Sequence, residues 1–176
     1  TMINNQIEGD FVECGIAAGA QLMAMALANK ENSGSKKIWG FDSFQGIPMA
    51  VEFDDVQVGI GEITHDKFAP LSERLISSGI TVHSLESVIS NFTNKGLYDS
   101  SIRFVKGWFQ NTLPEIADQV ESISILRLDG DLYESTLVCL EYLYPKVSKG
   151  GAVIVDDYLL TGCRVAVEHY FKSIDE

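Results

Sequence analysis

Short apolar runs alternate along this chain with longer segments whose apolar residues recur every three or four positions. The first pattern is typical of strands buried on both faces, and the second is typical of amphipathic helices. Strands are predicted at residues 10–14, 37–41, 102–106 and 124–128, and a fifth follows a turn at Gly150 and Gly151. Helices are predicted at residues 19–30, 67–78, 85–95, 133–147 and 163–172, and a short helix has Thr112 as N-cap and Pro114 in its first turn.

This order predicts an α/β fold in which a mostly parallel, doubly wound sheet carries helices on both faces. The pattern at residues 80–82 is ambiguous. If the sheet reverses direction after its first three strands, the carboxyl ends of the first, fourth and fifth strands meet at one crevice, where such sheets bind ligands. With 176 residues of which 45% are hydrophobic, the chain is predicted to form one domain, residues 1–176.

The net charge of −12 disfavours nucleic acid and anionic membranes as partners, because both require basic surfaces. A small molecule is therefore the expected partner, and the sequence leaves a homo-oligomer possible. No apolar run approaches the roughly 20 residues of a spanning helix, and residues 1–10 do not resemble a signal peptide, so we predict a cytoplasmic protein. The three cysteines, Cys14, Cys139 and Cys163, are predicted to be buried and reduced.

Two predicted strands end in acidic residues. Asp129 and Asp131 follow the fourth strand, and Asp156 and Asp157 follow the fifth. Carboxylates repel one another unless a proton or cation offsets their charge, so the pattern suggests a site for a hard metal ion. The alternative is that these aspartates cap the next helix or are solvated.

The first strand end presents Glu13, followed by Gly15 and Gly19 at the entry to a helix. Glycines there would let a ligand approach the backbone, and an acid suits an ammonium group better than a pyrophosphate; tight turning and helix packing are the alternative reasons. Asp42 ends the second strand, where an acid often accepts hydrogen bonds from ribose hydroxyls, although it could instead cap a turn. Together these features indicate a positively charged nucleoside, for which S-adenosylmethionine is a match.

Five groups of residues resemble the macrocin O-methyltransferase (TylF-like) family. They are residues 11–15, 41–48, 107–109 with 112–114, 128–136, and 155–158 with 162–164. The resemblance implies a Rossmann-like class I methyltransferase fold that binds S-adenosylmethionine and usually Mg²⁺. It further implies methylation of hydroxyl groups on sugars of natural products.

By matching motif, the resemblance assigns the cofactor to Glu13, Gly15, Asp42 and Ser43, and the metal to Asp129, Asp156 and Asp157. Asp131 could be a further ligand, a proton acceptor, or an acid that orients the ligands, and the last role is favoured. Asp129 and Asp131 are thus the candidate catalytic residues. The metal would lower the pKa of the substrate hydroxyl, which is otherwise near that of water, so that almost none is ionised at neutral pH.

Other residues have weaker assignments. Trp108 could pack against adenine or line the substrate cavity, although aromatic residues at such positions usually belong to the core. His65 lies in an acidic, glycine-containing segment, residues 51–66, which is predicted to be a mobile surface loop and a possible lid. His65 could be a general base there, whereas His83 and His169 are interpreted as ordinary surface histidines. Arg164 is expected to pair with the acids of the site.

The chain departs from the family pattern in two respects. It stops at Glu176, before the last two strands that normally complete such a sheet, so we expect a truncated domain. Ala17 and Ala18 stand where a bulkier pair is common. A nonenzymatic nucleoside-binding module is one alternative function, and a nicotinamide-dependent oxidoreductase is another, which the missing GxGxxG motif disfavours.

Overall fold

The computed structural model describes residues 7–32, 34–54, 73 and 75–174 of the chain. Its strands are β1 (Asp10–Cys14), β2 (Ile38–Asp42), β3 (Ile102–Lys106), β4 (Ile123–Leu128) and β5 (Val147–Val155). Its helices are α1 (Ala20–Glu31), α2 (Leu85–Asn94), α3 (Phe109–Ile116), α4 (Tyr133–Leu143) and α5 (Thr161–Ile174). The predicted α/β architecture is confirmed.

The five strands form one parallel sheet in the order β3-β2-β1-β4-β5. Strands β2 and β3 therefore lie on one side of β1, and strands β4 and β5 lie on its other side. Cys14 at the end of β1 lies opposite Phe41 of β2 and opposite Leu128 of β4, and Leu128 lies opposite Val155 of β5. These strand ends thus meet at one edge, as predicted, and the reversal of strand order lies between β1 and β4.

Two hydrophobic clusters cover the two faces of the sheet. Successive residues of β1 point to opposite faces, so Phe11 joins one cluster while Val12 and Cys14 join the other. Helices α1 and α2 pack on the side of Phe11, and α3, α4 and α5 contribute to the cluster around Val12. The three cysteines are buried and free, as predicted. This double coverage explains why the strands are apolar on both faces.

Helix α3 begins earlier than predicted. Its first residue is Phe109 and its N-cap is Trp108, which has extended backbone angles, so Thr112 is not the N-cap. The Thr112 hydroxyl instead donates a hydrogen bond to the Trp108 carbonyl, one turn back. Pro114 lies inside the helix, which ends two residues later at Ile116 and is followed by a 3₁₀ turn, Ala117–Gln119.

Gly150 and Gly151 lie within β5 and do not form a turn before it. The β4–β5 pairing changes register here, since Ile123 lies opposite Val147 and Ile125 opposite Ala152. Gly150 has a φ of +85°, which glycine adopts readily, so the pair accommodates an irregularity inside the strand. Helix α4 correspondingly ends at Leu143, and a 3₁₀ turn, Tyr144–Lys146, leads into β5.

The predicted helix 67–78 and the predicted loop 51–66 lie mostly outside the described residues, and so does His65. Residues 75–78, at the end of the predicted helix, are not helical, and Ser77 forms an antiparallel bridge with Pro48. Residues 51–54 are the described start of the predicted surface loop, and two of them, Val51 and Asp54, are buried. Residues 80–82 form neither helix nor strand. Among the described helices, none combines the length and the apolar character needed to cross a membrane.

Candidate cofactor and metal site

A cavity of about 240 Å³ opens at the carboxyl ends of β1, β2 and β4. Six predicted site residues line it: Gly15, Asp42, Ser43, Trp108, Asp129 and Asp131. Glu13 and Gly19, which were also predicted to bind the cofactor, are not among the described lining residues. The lining also includes residues that were not predicted, namely Ile47, Pro48, Thr81 and Gln110. The first two belong to a segment that the family resemblance covers, but their apolar side chains carry no chemical signal of their own.

Asp42 links the end of β2 to the turn that follows β1. Its Oδ2 accepts hydrogen bonds from the backbone N–H groups of Ile16 and Ala17, at 2.9 and 3.1 Å. Its Oδ1 accepts one from Phe44 N–H at 2.7 Å. Burial raises the pKa of Asp42, while these hydrogen bonds act in the opposite direction. The carboxylate therefore shapes the cavity, and its predicted bonds to ribose hydroxyls stay a prediction.

Ser43 shapes the next part of the wall. Its hydroxyl donates to the Gly46 carbonyl at 2.8 Å and accepts from Gln45 N–H at 3.0 Å, which closes a tight turn. Gly46 then approaches the Ile80 carbonyl so closely that an added Cβ would collide with it. The wall is held by this turn and by hydrogen bonds between residues 47–49 and residues 76–80.

The glycines after β1 have packing reasons that the structure makes visible. Gly15 has a φ of +84°, and a Cβ placed on it would collide with the Asp129 carbonyl at the end of β4. Gly19 has a φ of +88°, and its Cβ would meet the Phe92 ring at 2.9 Å. Gly15 thus keeps the ends of β1 and β4 in close contact beside the cavity, and Gly19 lets α1 pack on α2.

Asp129, Asp156 and Asp157 each offer a carboxylate oxygen, and these three atoms lie within 4.8 Å of one another. The predicted metal ligands are therefore brought together by the ends of two adjacent strands. Asp131 lies next to them with a φ of +57°, and its backbone N–H donates to Asp157 Oδ2 at 3.0 Å. The donor set consists of hard oxygen atoms, which suits Mg²⁺ or a similar cation.

Crowding of carboxylates changes the proton affinities of this cluster. Burial and the neighbouring negative charges raise the pKa of Asp131 to about 7. Burial raises the pKa of Asp157 to about 6, and the charges of Asp129 and Asp156 act in the same direction. The carboxylates of this cluster therefore repel one another, and a bound cation would offset that repulsion.

Arg127 is the cation that pairs with these acids, and sequence reasoning did not find it. Its Nη1 lies 2.6 Å from Glu13 Oε1 and 2.7 Å from Asp129 Oδ2, and its Nη2 lies 2.9 Å from Asp156 Oδ2. Among the described residues, all ion pairs of these acids involve Arg127, so the role expected of Arg164 belongs to Arg127. A signal was available, because a single arginine in an apolar buried strand requires charged partners.

Glu13 is buried and is not among the described residues that line the cavity. The residue is 1% exposed, and its Oε2 has no hydrogen-bond partner among the described residues. Burial raises its pKa to about 7 although the Arg127 guanidinium acts to lower it. Its predicted contact with the methionine ammonium group stays a prediction, and its described partner is Arg127.

Of the two aromatic residues after β3, Phe109 packs in the core, as aromatic residues at such positions usually do, whereas Trp108 departs from that expectation. Trp108 is only partly buried and lines the cavity, while Phe109 is 8% exposed and contacts both the cavity and the core. Of the histidines, His169 lies on the surface of α5, where Nδ1 is 3.1 Å from the hydroxyl of Tyr133. Trp108 is therefore available to a ligand in the cavity.

A family model described as macrocin-O-methyltransferase (TylF) matches residues 1–175. The chain belongs to the macrocin O-methyltransferase family. Family members that are similar to it include the demethyldecarbamoylnovobiocin O-methyltransferase of Streptomyces niveus, which is 39% identical over 99% of this chain and 62% of the relative. Another is the 8-demethyl-8-(2,3-dimethoxy-alpha-L-rhamnosyl)-tetracenomycin-C 4'-O-methyltransferase of Streptomyces olivaceus, which is 37% identical over 97% of this chain and 60% of the relative.

A third member, the mycinamicin III 3''-O-methyltransferase of Micromonospora griseorubida, is 32% identical over 96% of this chain and 62% of the relative. The chain thus spans 60–62% of the length of these three curated relatives. Among solved structures, the O-methyltransferase NovP superposes with a TM-score of 0.81 at 37% identity, covering 99% of this chain and 67% of NovP. The calicheamicin methyltransferase CalS11, at 23% identity and a TM-score of 0.64 over 95% of this chain and 66% of its own, shares the fold.

Proposed function

We propose that this protein transfers the methyl group of S-adenosylmethionine to a hydroxyl group of a small molecule, and that the acceptor is a sugar carried by a natural product. The observation that carries the proposal is the cavity at the reversal of strand order, in a chain that belongs to an O-methyltransferase family. The acceptor class is supported by the relatives, two of which are named for methylation of a rhamnosyl or a mycinamicin substrate at primed, sugar-type positions.

The cavity fits the cofactor in its chemistry. Apolar surface from Ile47, Pro48 and Trp108 suits the flat face of adenine, and the Asp42 carboxylate suits ribose hydroxyls. The backbone around Gly15 borders the cavity without a side chain in the way. When bound, S-adenosylmethionine supplies an electrophilic methyl group on a positively charged sulfur. The residues of the chain bind and orient it, and they exclude water from the reaction.

Cofactor binding is testable by tryptophan fluorescence, because the two tryptophans of the chain report on different places. Trp108 lines the cavity, whereas Trp39 is buried in the core with Nε1 donating to Asp10 Oδ2. Titration with S-adenosylhomocysteine is expected to give a saturable fluorescence change. Trp108→Phe should abolish that change, because the only reporter in contact with the ligand is removed.

Trp39→Phe is the matched control, and it should keep the response. Calorimetry of the same titration measures the affinity without any reporter. If no heat and no fluorescence change appear, the cofactor proposal is wrong. If a nicotinamide dinucleotide binds more tightly than S-adenosylhomocysteine, the oxidoreductase alternative replaces it.

We further propose that Asp129, Asp156 and Asp157 hold a divalent cation, with Mg²⁺ as the candidate. Their clustered oxygens and the excess negative charge around them support a fit. When bound, such a cation supplies Lewis acidity that makes a substrate hydroxyl easier to deprotonate. Asp131 lines the cavity beside these ligands, where its carboxylate could accept the hydroxyl proton or orient the neighbouring acids.

Removal of one proposed ligand should abolish cation binding while the cofactor still binds. Asp157→Asn is expected to weaken Mg²⁺ binding by more than about 100-fold, since loss of a residue that only orients a ligand already costs 10- to 100-fold. Calorimetric titration with MgCl₂ measures this, and the Trp108 fluorescence response to S-adenosylhomocysteine checks that the cavity persists.

Asp118→Asn provides the control, because this acid is fully exposed and precedes β4, at the opposite edge of the sheet from the site. It removes the same charge and should leave Mg²⁺ affinity unchanged. Equal Mg²⁺ affinity in the native chain and in Asp157→Asn would show that the cation, if bound at all, is bound elsewhere.

A further inference from the structure

Arg127 joins a buried glutamate to two of the three proposed metal ligands. The arginine side chain is 9% exposed, and that of Glu13 is 1% exposed. Glu13 Oε1 accepts a hydrogen bond from Nη1 at 2.6 Å, so a buried carboxylate holds one end of the guanidinium. Its other contacts, to Asp129 Oδ2 and Asp156 Oδ2, reach two different strand ends. One planar group therefore contacts carboxylates that follow two adjacent strands, β4 and β5.

Each proposed ligand carboxylate has one oxygen held by a donor of the protein. Arg127 Nη1 donates to Oδ2 of Asp129, and the backbone N–H of Asp131 donates to Oδ2 of Asp157. Oδ2 of Asp156 forms an ion pair with Arg127 Nη2 at 2.9 Å. A carboxylate that is bonded through one oxygen loses rotational freedom, and its second oxygen keeps a fixed direction. Groups of this kind, which contact a ligand side chain rather than the ion, commonly decide metal affinity.

We infer that Arg127 is a positioning residue for the divalent cation, which it serves by orienting Asp129 and Asp156 without contacting the ion. The inference rests on the proposed metal site. It depends on the shape of the guanidinium, since a planar fork donates two bonds in fixed directions, whereas a lysine ammonium is a point charge on a flexible stem. Lysine at position 127 could not reproduce all three contacts together.

Charge and geometry have opposite effects here, so the substitution has to separate them. Removing the positive charge altogether would favour a cation by Coulomb attraction, which masks any loss of orientation. Arg127→Lys keeps the charge and removes the fork. If Arg127 acted only through its charge, Mg²⁺ affinity would not change. If it orients the ligands, affinity should fall by about 10- to 100-fold, the usual effect of losing such a partner.

The experiment titrates the native chain and Arg127→Lys with MgCl₂ in a calorimeter, at a temperature where both are folded. Mn²⁺ bound to each is compared by electron paramagnetic resonance, whose line shape reports the symmetry of the ligands. Arg103→Lys is the matched control, because Arg103 lies on β3 and donates to the carbonyls of Ser100 and Ile102. The S-adenosylhomocysteine response of Trp108 is recorded for all three proteins.

The expected result is weaker Mg²⁺ binding and an altered Mn²⁺ spectrum in Arg127→Lys alone, with the Trp108 response retained. Unchanged Mg²⁺ affinity and spectrum would overturn the inference and leave the proposed function intact. Loss of the Trp108 response together with Mg²⁺ binding would also overturn it, because the substitution would then have disrupted the whole site. A native chain that binds S-adenosylhomocysteine but neither cation would remove the metal proposal and this inference with it.

Discussion

Gly15→Ala should lower the free energy of unfolding by about 2–5 kcal/mol, a large part of the roughly 5–15 kcal/mol that stabilises a typical domain. Two costs combine. A side chain at a φ of +84° adds about 1–2 kcal/mol of backbone strain. The added Cβ also collides with the Asp129 carbonyl, a backbone atom that cannot rotate away, and such overpacking costs about 1–3 kcal/mol. Urea denaturation followed by circular dichroism measures the loss.

Gly96→Ala separates the two costs. Gly96 also has a positive φ, +65°, but an added Cβ there has no atom within 4 Å. The free energy of unfolding of Gly96→Ala should therefore fall only by the cost of backbone strain, about 1–2 kcal/mol. Equal losses for the two variants would show that β1 and β4 do not touch at Gly15 as described. A larger loss at Gly15 supports the view that this glycine serves packing between strand ends, whatever its contact with a cofactor.

The fold was accessible from the sequence because its determinants are local and repeated. Apolar runs such as Ile38 to Phe41 need cover on both faces, and the helices between the runs provide it. Two boundaries were wrong where one residue acts against its usual preference. Helix α3 begins at Phe109, so Pro114 lies inside it rather than in its first turn, and Gly150 lies inside a strand whose register shifts. Neither effect is visible without the partner strand or the following turn.

The acidic part of the site was also accessible, since parallel strands end at a common edge and each acid is marked by its place after an apolar run. Asp129, Asp156 and Asp157 meet for that reason. Arg127 was missed because it lies within a strand, where only the pairing of β1, β4 and β5 shows which acids surround it. Asp54 was missed likewise: it accepts from Tyr133 N–H at the start of α4, a contact between distant residues.

Above pH 7, where Glu13 is ionised, Arg127→Met should destabilise the protein by about 3–5 kcal/mol, because loss of one partner leaves a buried charge without compensation. Most of this cost comes from Glu13, whose carboxylate would lose its partner. Its side chain is 1% exposed, whereas those of Asp129 and Asp156 are 30% and 48% exposed and can regain water. Denaturation with urea in the presence of a chelator measures the loss without any contribution from metal ions. Arg103→Met, at an exposed position, should stay within about 0.5 kcal/mol of the native chain.

The loss should also depend on pH. The pKa of Glu13 is about 7 in the folded protein and 4.5 ordinarily, so the folded state binds this proton more tightly than the unfolded state does. The contribution of Glu13 to stability therefore falls as pH rises from 4.5 through 7. Without Arg127 the folded pKa rises further. Well below pH 7 the glutamate is protonated in both proteins, so the extra cost of Arg127→Met should grow as the pH rises through 7 and above.

A second substitution should reverse part of this loss. Glu13→Leu in the Arg127→Met background removes the stranded carboxylate and replaces the buried ion pair by apolar groups, an exchange that is often neutral or stabilising. The double variant should be more stable than Arg127→Met alone by about 2 kcal/mol at pH 8, within the 0.5–3 kcal/mol range of coupling between contacting residues. The difference should shrink at pH 5, where Glu13 is neutral in the single variant. Additive losses at both pH values would mean that Glu13 and Arg127 do not depend on each other, and that the arginine is held by the exposed aspartates instead.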